Sequence, residues 1–272
     1  MIKKFFSITL LFALSLQPFS ISFAYSHSPE SSPSLEASPK DVEYEDRSRR
    51  GEKWVFSDIP RHLGMDMKET FWGWGSLILA LGAGATGVLY TQDHKIQDSF
   101  ETYALFGNTG DSVLGYMGAP YTMAGVGIIL TGVGAGIHNT KLRTTGEAVL
   151  EALFWTELFT IGLKYAFNRT RPDGSGQSFP SAHASGAFST ATVLQMMYGP
   201  KAGVPAYALA TLVAISRVDS DKHFASDVLM GAVLGSAIAY GTSRYHKKIH
   251  NNFVLTPSFS SDMYGFNING TF

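Results

Sequence analysis

The 272-residue sequence contains no cysteine, and only 16% of its residues are charged. Without cysteine the chain cannot form disulfides, thiolate zinc sites or cysteine nucleophiles. The 21 Lys and Arg residues nearly balance the 22 Asp and Glu residues, so the formal net charge is −1. A nucleic-acid-binding protein needs a strongly basic face, and this low, balanced charge argues against nucleic acid as a partner. The length is sufficient for one or two domains with a sizeable core.

The first 24 residues are typical of a secretory signal peptide. Lys3 and Lys4 form a basic start, an apolar run follows, and residues 22–24 (Ser-Phe-Ala) match a small-x-small cleavage site. An uncleaved anchor helix is the alternative, and both interpretations send the chain to the cell envelope. Residues 25–70 are predicted to form a flexible arm rich in Ser, Pro and charge, which ends in an amphipathic segment.

The middle of the chain consists of long apolar segments separated by polar or Gly- and Pro-rich joints. They cover residues 72–91, 119–138, 147–167, 183–199, 202–217 and 224–243. Segments of this length favour helices over strands, so the pattern predicts an all-α six-helix bundle over residues 71–248. The pairs Gly132/Gly136 and Gly231/Gly235 predict close helix packing. Residues 249–272 instead alternate with period 2, which predicts a short β-patterned tail.

Polar side chains concentrate at three joints of the predicted bundle. KYAFNRTRP (164–172) closes the third helix, FPSAH (179–183) opens the fourth, and SRVDSDKHFASD (216–227) connects the fifth to the sixth. In an up-down bundle these joints all lie at the same end. The sequence therefore predicts one cluster of seven side chains: Lys164, Arg171, Ser181, His183, Arg217, His223 and Asp227.

This set of side chains is typical of a site for a phosphate ester. Three cations can hold the phosphoryl oxygens, and Ser181 with the N–H groups that begin the following helix forms an anion-binding helix N-terminus. Two histidines can supply a nucleophile and a general acid. Asp227 follows His223 by four residues and shares its helix face, where a carboxylate can accept from one ring nitrogen and leave the other free to attack phosphorus.

The three segments resemble the signature KxxxxxxRP, PSGH and SRxxxxxHxxxD of the type 2 phosphatidic acid phosphatase and vanadium haloperoxidase superfamily. The first and third match fully, and the second has Ala182 in place of Gly. The resemblance implies that His223 is a nucleophile that forms a phosphohistidine and that Asp227 orients it. It implies that His183 protonates the leaving oxygen and then activates water. The implied phosphate-binding residues are Lys164, Arg171, Ser181, Arg217 and, through its backbone N–H, Ala182.

The resemblance also implies a metal-independent phosphatase that needs no cofactor, with vanadate able to occupy the site as a phosphate mimic. We expect a lipid-borne substrate, such as phosphatidate, an isoprenyl diphosphate or a lipid A phosphate. A soluble periplasmic acid phosphatase of broad specificity is the alternative. A vanadate-dependent haloperoxidase is less favoured, because the haloperoxidases of this superfamily are larger. The oligomeric state is not predicted.

The position of the bundle relative to a membrane is left open by two conflicting signals. Basic residues at 139–146 and after the sixth helix predict that those segments are cytoplasmic. The cluster is at the other end of the bundle, so it would lie on the far side of the membrane from the cytoplasm. A signal followed by three crossings would instead place the cluster in the cytoplasm. We therefore expect a membrane-associated envelope protein whose site faces the periplasm, with a soluble periplasmic protein as the alternative.

Other motifs have simpler interpretations. Residues 82–87 (GAGATG) match GxGxxG, but they lie inside an apolar segment with no strand before it, which favours a tightly packed helix. Glu147 and Glu151 share a helix face and are expected to be exposed or to face a cavity. Four histidines near segment ends are expected to be solvated or capping: His94, His138, His246 and His250.

Overall fold

A computed structural model describes residue 68 and residues 70–102, 104–250, 254–260 and 263–269. The predicted signal peptide (1–24) and nearly all of the predicted arm (25–70) lie outside the described residues. The described part includes eight α-helices and two strands. The helices are α1 Trp74–Tyr90, α2 Asp93–Thr102, α3 Gly107–Gly118, α4 Pro120–Gly136, α5 Thr140–Phe167, α6 Ala182–Tyr198, α7 Pro200–Asp219 and α8 Ala225–His250.

The prediction of an all-α bundle is confirmed for this helical part. Each of the six apolar segments forms a helix, namely α1 and α4 to α8. The joint between the first two segments contains two further helices, α2 and α3, which the hydropathy pattern missed. The N-terminus of α3 is held from far along the chain, because the Asp219 carboxylate accepts from the Leu105 and Phe106 N–H groups at 2.9 and 3.0 Å.

Capping residues fix the ends of the two helices that flank the site. The C-cap of α5 is Asn168, in the left-handed conformation with φ 41° and ψ 40°. The N-cap of α6 is Ser181, whose hydroxyl oxygen accepts from the Ala184 N–H at 3.5 Å. The chain therefore leaves α5 and enters α6 at defined residues, and the loop between them is held at both ends.

Small residues let the helices around the core approach closely. An added Cβ at Gly231 would lie 2.5 Å from the Ser181 carbonyl oxygen, and Gly235 meets the Ser185 backbone in the same way, so α8 packs tightly against α6. The predicted pair Gly132/Gly136 faces open space instead. The central core combines residues of α4, α5, α6 and α8: Met123, Ala148, Val149, Ala152, Leu153, Val193 and Ala239.

The two strands form an antiparallel hairpin. Strand β1 is Val254–Ser260 and β2 is Met263–Asn269, with Val254 opposite Asn269 and Ser260 opposite Met263. The alternating residues of the predicted β-patterned tail fall on β2. The helices, up to Lys248, form one compact unit, and the hairpin belongs to another.

Large apolar side chains are exposed along several helices. On α5, Phe154, Leu158, Ile161 and Tyr165 recur at helical spacing on one exposed face. Among the described residues, no single helix has the length and hydropathy needed to cross a membrane. The pairs α1 with α2 and α3 with α4 meet that test together, with bends of 68° and 49°.

Candidate active site

The predicted cluster lies at the end of the bundle where α5 and α7 end and where α6 and α8 begin. Lys164 is in the last turn of α5, and Arg217 is in the last turn of α7. Ser181 precedes α6, and Asp227 is in the first turn of α8. The Ser181 N–H donates to the Asp227 carbonyl oxygen at 3.0 Å, which joins the two helix starts.

Three cations face this end of the bundle. Lys164 Nζ donates to the Gln177 carbonyl oxygen at 2.6 Å, and Arg171 Nε donates to the Gly176 carbonyl oxygen at 3.0 Å. Burial, followed by the positive charge of Arg171, lowers the pKa of Lys164 to about 8. These side chains are held by carbonyl oxygens of the loop and keep further N–H donors for an anion.

Arg217 carries a buried donor at its Nε atom. Its Nε has no hydrogen-bond partner among the described residues. Its pKa is lowered by burial and then by the charge of Arg171. A buried guanidinium N–H without an acceptor is costly, so this atom indicates a place for a negatively charged ligand.

Both histidines of the cluster lie within the field of these cations. His223 is 2% exposed, and its backbone N–H donates to the Arg217 carbonyl oxygen at 3.0 Å. Burial, and then the charge of Lys164, lowers the pKa of His223 well below its usual value. Burial, and then Arg217, lowers the pKa of His183 to about 4. Both imidazoles are therefore neutral at neutral pH while no anion is bound.

Asp227 lies beside His223 but does not bond to it directly. Asp227 Oδ2 and His223 Nδ1 are 4.0 Å apart, which is beyond hydrogen-bond distance. Oδ2 instead accepts from the Ser178 hydroxyl at 2.5 Å and from the Phe224 N–H at 2.9 Å. Burial raises the pKa of the Asp227 carboxyl, while the Ser178 hydrogen bond and the charge of Arg169 act in the opposite direction.

Arg169 belongs to the site although it was not predicted from the sequence. Its Nη1 donates to Asp227 Oδ1 at 2.7 Å, and its Nη2 donates to Asp93 Oδ2 at 2.8 Å. Nη1 also donates to Ser226 Oγ at 2.7 Å. The guanidinium thus bridges two carboxylates that are almost completely buried. The signal available in the sequence was the position of Arg169 inside the segment that carries Lys164 and Arg171.

Asp93 is a second residue that the sequence pattern did not reveal. It begins α2, and its carboxylate accepts from the Ser226 N–H at 2.9 Å and from the Ser226 hydroxyl at 2.5 Å. It therefore satisfies the start of α8 from outside that helix. The helix missed by the hydropathy pattern is the one that supplies this contact.

Ala182 takes the place of the motif glycine without backbone strain. It is the first residue of α6, and its φ is not positive. The glycine's freedom at positive φ is therefore not required here. The N–H of this first helical residue has no carbonyl partner within the helix, as at any helix N-terminus, and is a donor that an anion could use.

The remaining predicted residues lie away from the cluster or at its edge. Glu147 pairs with Arg143 at 3.0 Å, while Glu151 bonds to His246 at 2.9 Å. His246 is buried at 3% exposure, so the expectation of a solvated or capping histidine is wrong for this residue. Glu157, which was not predicted as a site residue, also lies on α5; it is half-buried, and burial raises its pKa to about 7.

An apolar cavity of about 550 Å³ lies beside Arg169. Arg169 lines it, and the same guanidinium bonds to Asp227. The other lining residues come from α1, α5, α8 and the loop before α6: Ala83, Thr86, Gly87, Tyr90, Leu163, Phe167, Phe179 and Met230. None of the seven cluster residues lines this cavity, and Arg169 connects it to the cluster through Asp227.

Comparison with known proteins agrees with the motif assignment. The PAP2 superfamily model matches residues 147–251. A lipid A 1-phosphatase of Porphyromonas gingivalis is 43% identical over 76 residues, which cover 26% of this chain and 17% of that protein. A lipid A 4'-phosphatase of Helicobacter pylori is 36% identical over 136 residues, covering 45% of this chain and 67% of that protein.

A solved structure shares the fold. The crystal structure of a transmembrane PAP2-type phosphatidylglycerolphosphate phosphatase from Bacillus subtilis superposes with a TM-score of 0.53 at 25% identity. The match covers 63% of this chain and 94% of that one. The helical bundle is therefore of the kind seen in that phosphatase.

Proposed function

This chain belongs to the PAP2 superfamily, and we propose on that premise that it hydrolyses a phosphate monoester or diphosphate of a lipid. One observation carries the proposal: two histidines lie near three cations, and one of these cations, Arg217, has a buried Nε without an acceptor among the described residues. Phosphoryl oxygens would accept from Arg217, Arg171 and Lys164. The start of α6, with Ser181 and Ala182, would add helix-terminal N–H donors.

In the first step His223 acts as the nucleophile. The Nε2 lone pair of neutral His223 forms a bond to phosphorus while the bond from phosphorus to the leaving oxygen breaks. His183 gives its proton to that oxygen. In the free site burial, and then the charge of the cations, lowers the pKa of His183 and keeps it neutral. A bound phosphate dianion offsets their charge and raises the pKa of His183, so that substrate binding itself prepares the general acid.

In the second step His183 reverses its role. The neutral imidazole takes a proton from water as the water oxygen attacks phosphorus. The bond between phosphorus and His223 Nε2 then breaks, and inorganic phosphate leaves. The three cations stabilise the charge that accumulates on the equatorial oxygens in both steps.

A lipid substrate is supported by the surroundings of the site. The apolar cavity next to Arg169 has room for hydrocarbon. The relatives with matching sequence are lipid A phosphatases by name, so we propose a lipid A phosphate, phosphatidate or an isoprenyl diphosphate as the substrate. The exposed apolar faces of the helices support a membrane-associated protein, and we propose that its site faces the periplasm.

The direct test measures phosphate release by the purified full chain in detergent. The panel contains lipid A, phosphatidate, farnesyl diphosphate and p-nitrophenyl phosphate. We expect kcat/KM for at least one lipid to exceed that for p-nitrophenyl phosphate by about tenfold or more, because the cavity contributes binding energy. Equal values for all substrates would favour the soluble acid phosphatase, and no release from any of them would reject the proposal.

Phosphate binding is expected to weaken above pH 8 because of Lys164. Its amine has a pKa of about 8 in the free site, so it is protonated below that pH and neutral above it. A bound anion stabilises the protonated form, so affinity falls by up to about tenfold per pH unit above pH 8. The measurement is competitive inhibition by orthophosphate between pH 7 and 10. Lys164→Met should bind phosphate weakly with little change over this range, and a flat wild-type profile would contradict the assignment.

Filling the cavity is expected to impair lipid substrates selectively. Gly87 lines the cavity, and a Cβ at this position meets nothing within 4 Å, so Gly87→Phe introduces no clash at Cβ. We expect kcat/KM for the lipid to fall by about 10- to 100-fold while p-nitrophenyl phosphate is unaffected. Gly84→Phe is the matched control, since Gly84 lies on the same helix in open space and does not line the cavity. Equal effects of the two variants would contradict a chain-binding role for the cavity.

A further inference from the structure

We propose that Ser178 is the residue that positions His223 for attack, by linking it to Asp227 through its hydroxyl group. This proposal rests on the proposed function. Ser178 is fully buried and immediately precedes the FPSAH segment, outside the three motifs. Its Oγ is 2.5 Å from Asp227 Oδ2 and 3.5 Å from His223 Nδ1. The hydroxyl therefore lies next to both groups, which are themselves 4.0 Å apart.

The place of Ser178 is fixed by its own backbone. Its N–H donates to the Arg169 carbonyl oxygen at 2.7 Å. The preceding carbonyl, that of Gln177, accepts from Lys164 Nζ at 2.6 Å. The segment is thus held against the end of α5 by two hydrogen bonds, and the hydroxyl is directed into the site without a mobile side chain.

Asp227 is not available to bond His223 directly because its oxygens are engaged. Oδ1 accepts from Arg169 at 2.7 Å, and Oδ2 accepts from the Phe224 N–H at 2.9 Å as well as from Ser178. Arg169 is in turn held by Asp93 at 2.8 Å. Moving the carboxylate toward His223 would stretch several charge-assisted hydrogen bonds at once.

The polarity of the link determines the tautomer of His223. An ionised carboxylate only accepts, so the Ser178 hydroxyl proton points to Asp227. The serine oxygen then presents a lone pair to Nδ1, and the contact is favourable when Nδ1 carries the proton. Neutral His223 consequently keeps its lone pair on Nε2. As Nε2 bonds to phosphorus, the ring becomes cationic. The dipole of the Ser178 hydroxyl, together with the negative charge of Asp227, stabilises this cationic ring.

Ser178→Ala tests the positioning role. We expect kcat to fall by about 10²-fold with KM changed by less than about threefold, because the cations that bind phosphate are untouched. Ser178→Thr keeps a hydroxyl and should recover most of kcat. Ser189→Ala is the matched control, since it removes an equally buried hydroxyl that lies 3.4 Å from Thr156 on the neighbouring helix, away from His223. A Ser178→Ala protein with wild-type kcat would overturn the proposal.

A spectroscopic reading separates this proposal from the proposed function. The ¹⁵N chemical shifts of His223 in the wild-type protein should show the proton on Nδ1, and in folded Ser178→Ala the two tautomers should become mixed. This measurement needs no turnover, so it tests the link through Ser178 even if the chain releases no phosphate. If a variant fails to fold, the wild-type spectrum still tests it. A proton on Nε2 in the wild type would overturn the link through Ser178.

Discussion

Replacement of His223 by Gln is expected to lower phosphate release by roughly 10⁴-fold or more, since loss of a nucleophile costs far more than loss of one stabilising contact. The amide of Gln fills part of the same buried space and can donate a hydrogen bond, but it has no lone pair able to attack phosphorus. The fold should persist, and KM or orthophosphate affinity should change little because Lys164, Arg171 and Arg217 remain.

His246→Gln is the matched control for this variant. His246 is also buried and lies near the end of α8, where it bonds to Glu151 at 2.9 Å. Its replacement is expected to reduce stability while kcat of the folded protein stays within a few-fold of wild type. Initial rates should be measured on protein shown to be folded by circular dichroism. A His223→Gln protein with a rate within tenfold of wild type would contradict the nucleophile assignment.

Replacement of Arg169 by Met is expected to produce the largest loss of stability, about 3–5 kcal/mol in the free energy of unfolding. The guanidinium bonds Asp93 at 2.8 Å and Asp227 at 2.7 Å, and its removal leaves two buried carboxylates without their common cation. It also lies over the rings of Tyr90 and Phe224, with distances of 4.6 and 4.2 Å from its central carbon to the ring centroids. Arg169→Lys should recover only part of the loss, because an ammonium cannot reproduce the planar fork that reaches both partners.

The measurement is denaturant unfolding of the detergent-solubilised chain, with Lys222→Met as the control. Lys222 forms an ion pair of similar length with Asp173, 2.9 Å, but its side chain is 44% exposed. Exposed pairs contribute little, so this control should lose less than about 1 kcal/mol. An Arg169→Met protein as stable as the control variant would contradict the bridging role.

The positions of the motif residues could be predicted because they depend on chain order. Once six apolar segments are assigned to helices, the ends that carry Lys164 and Arg217 and the starts that carry His183 and Asp227 must meet. The chemistry also followed from residue types, since paired cations and histidines suit phosphate. The proposed roles of the individual residues, and the orientation toward the periplasm, stay predictions.

The contacts that support the motif residues could not be predicted, because their partners are distant in sequence. Asp93 and Arg169 are separated by 76 positions, and Asp93 and Ser226 by 133. Asp93 lies on α2, a short and predominantly polar helix that a search for long apolar segments does not detect. The 4.0 Å separation of the His223 and Asp227 side chains could not be predicted either. Helical spacing places two residues on one face, but it does not fix how their side chains point.

The most direct test of the account is to trap and locate the covalent intermediate. The full chain is mixed with ³²P-labelled lipid phosphate, quenched in alkaline denaturant where a phosphorus–nitrogen bond survives, and digested for mass spectrometry. The account predicts phosphate on the peptide that contains His223, and none on that peptide in His223→Gln. The nucleophile assignment would be contradicted by phosphate attached to any other residue. It would also be contradicted by turnover with no attached phosphate, under conditions that trap a known phosphohistidine.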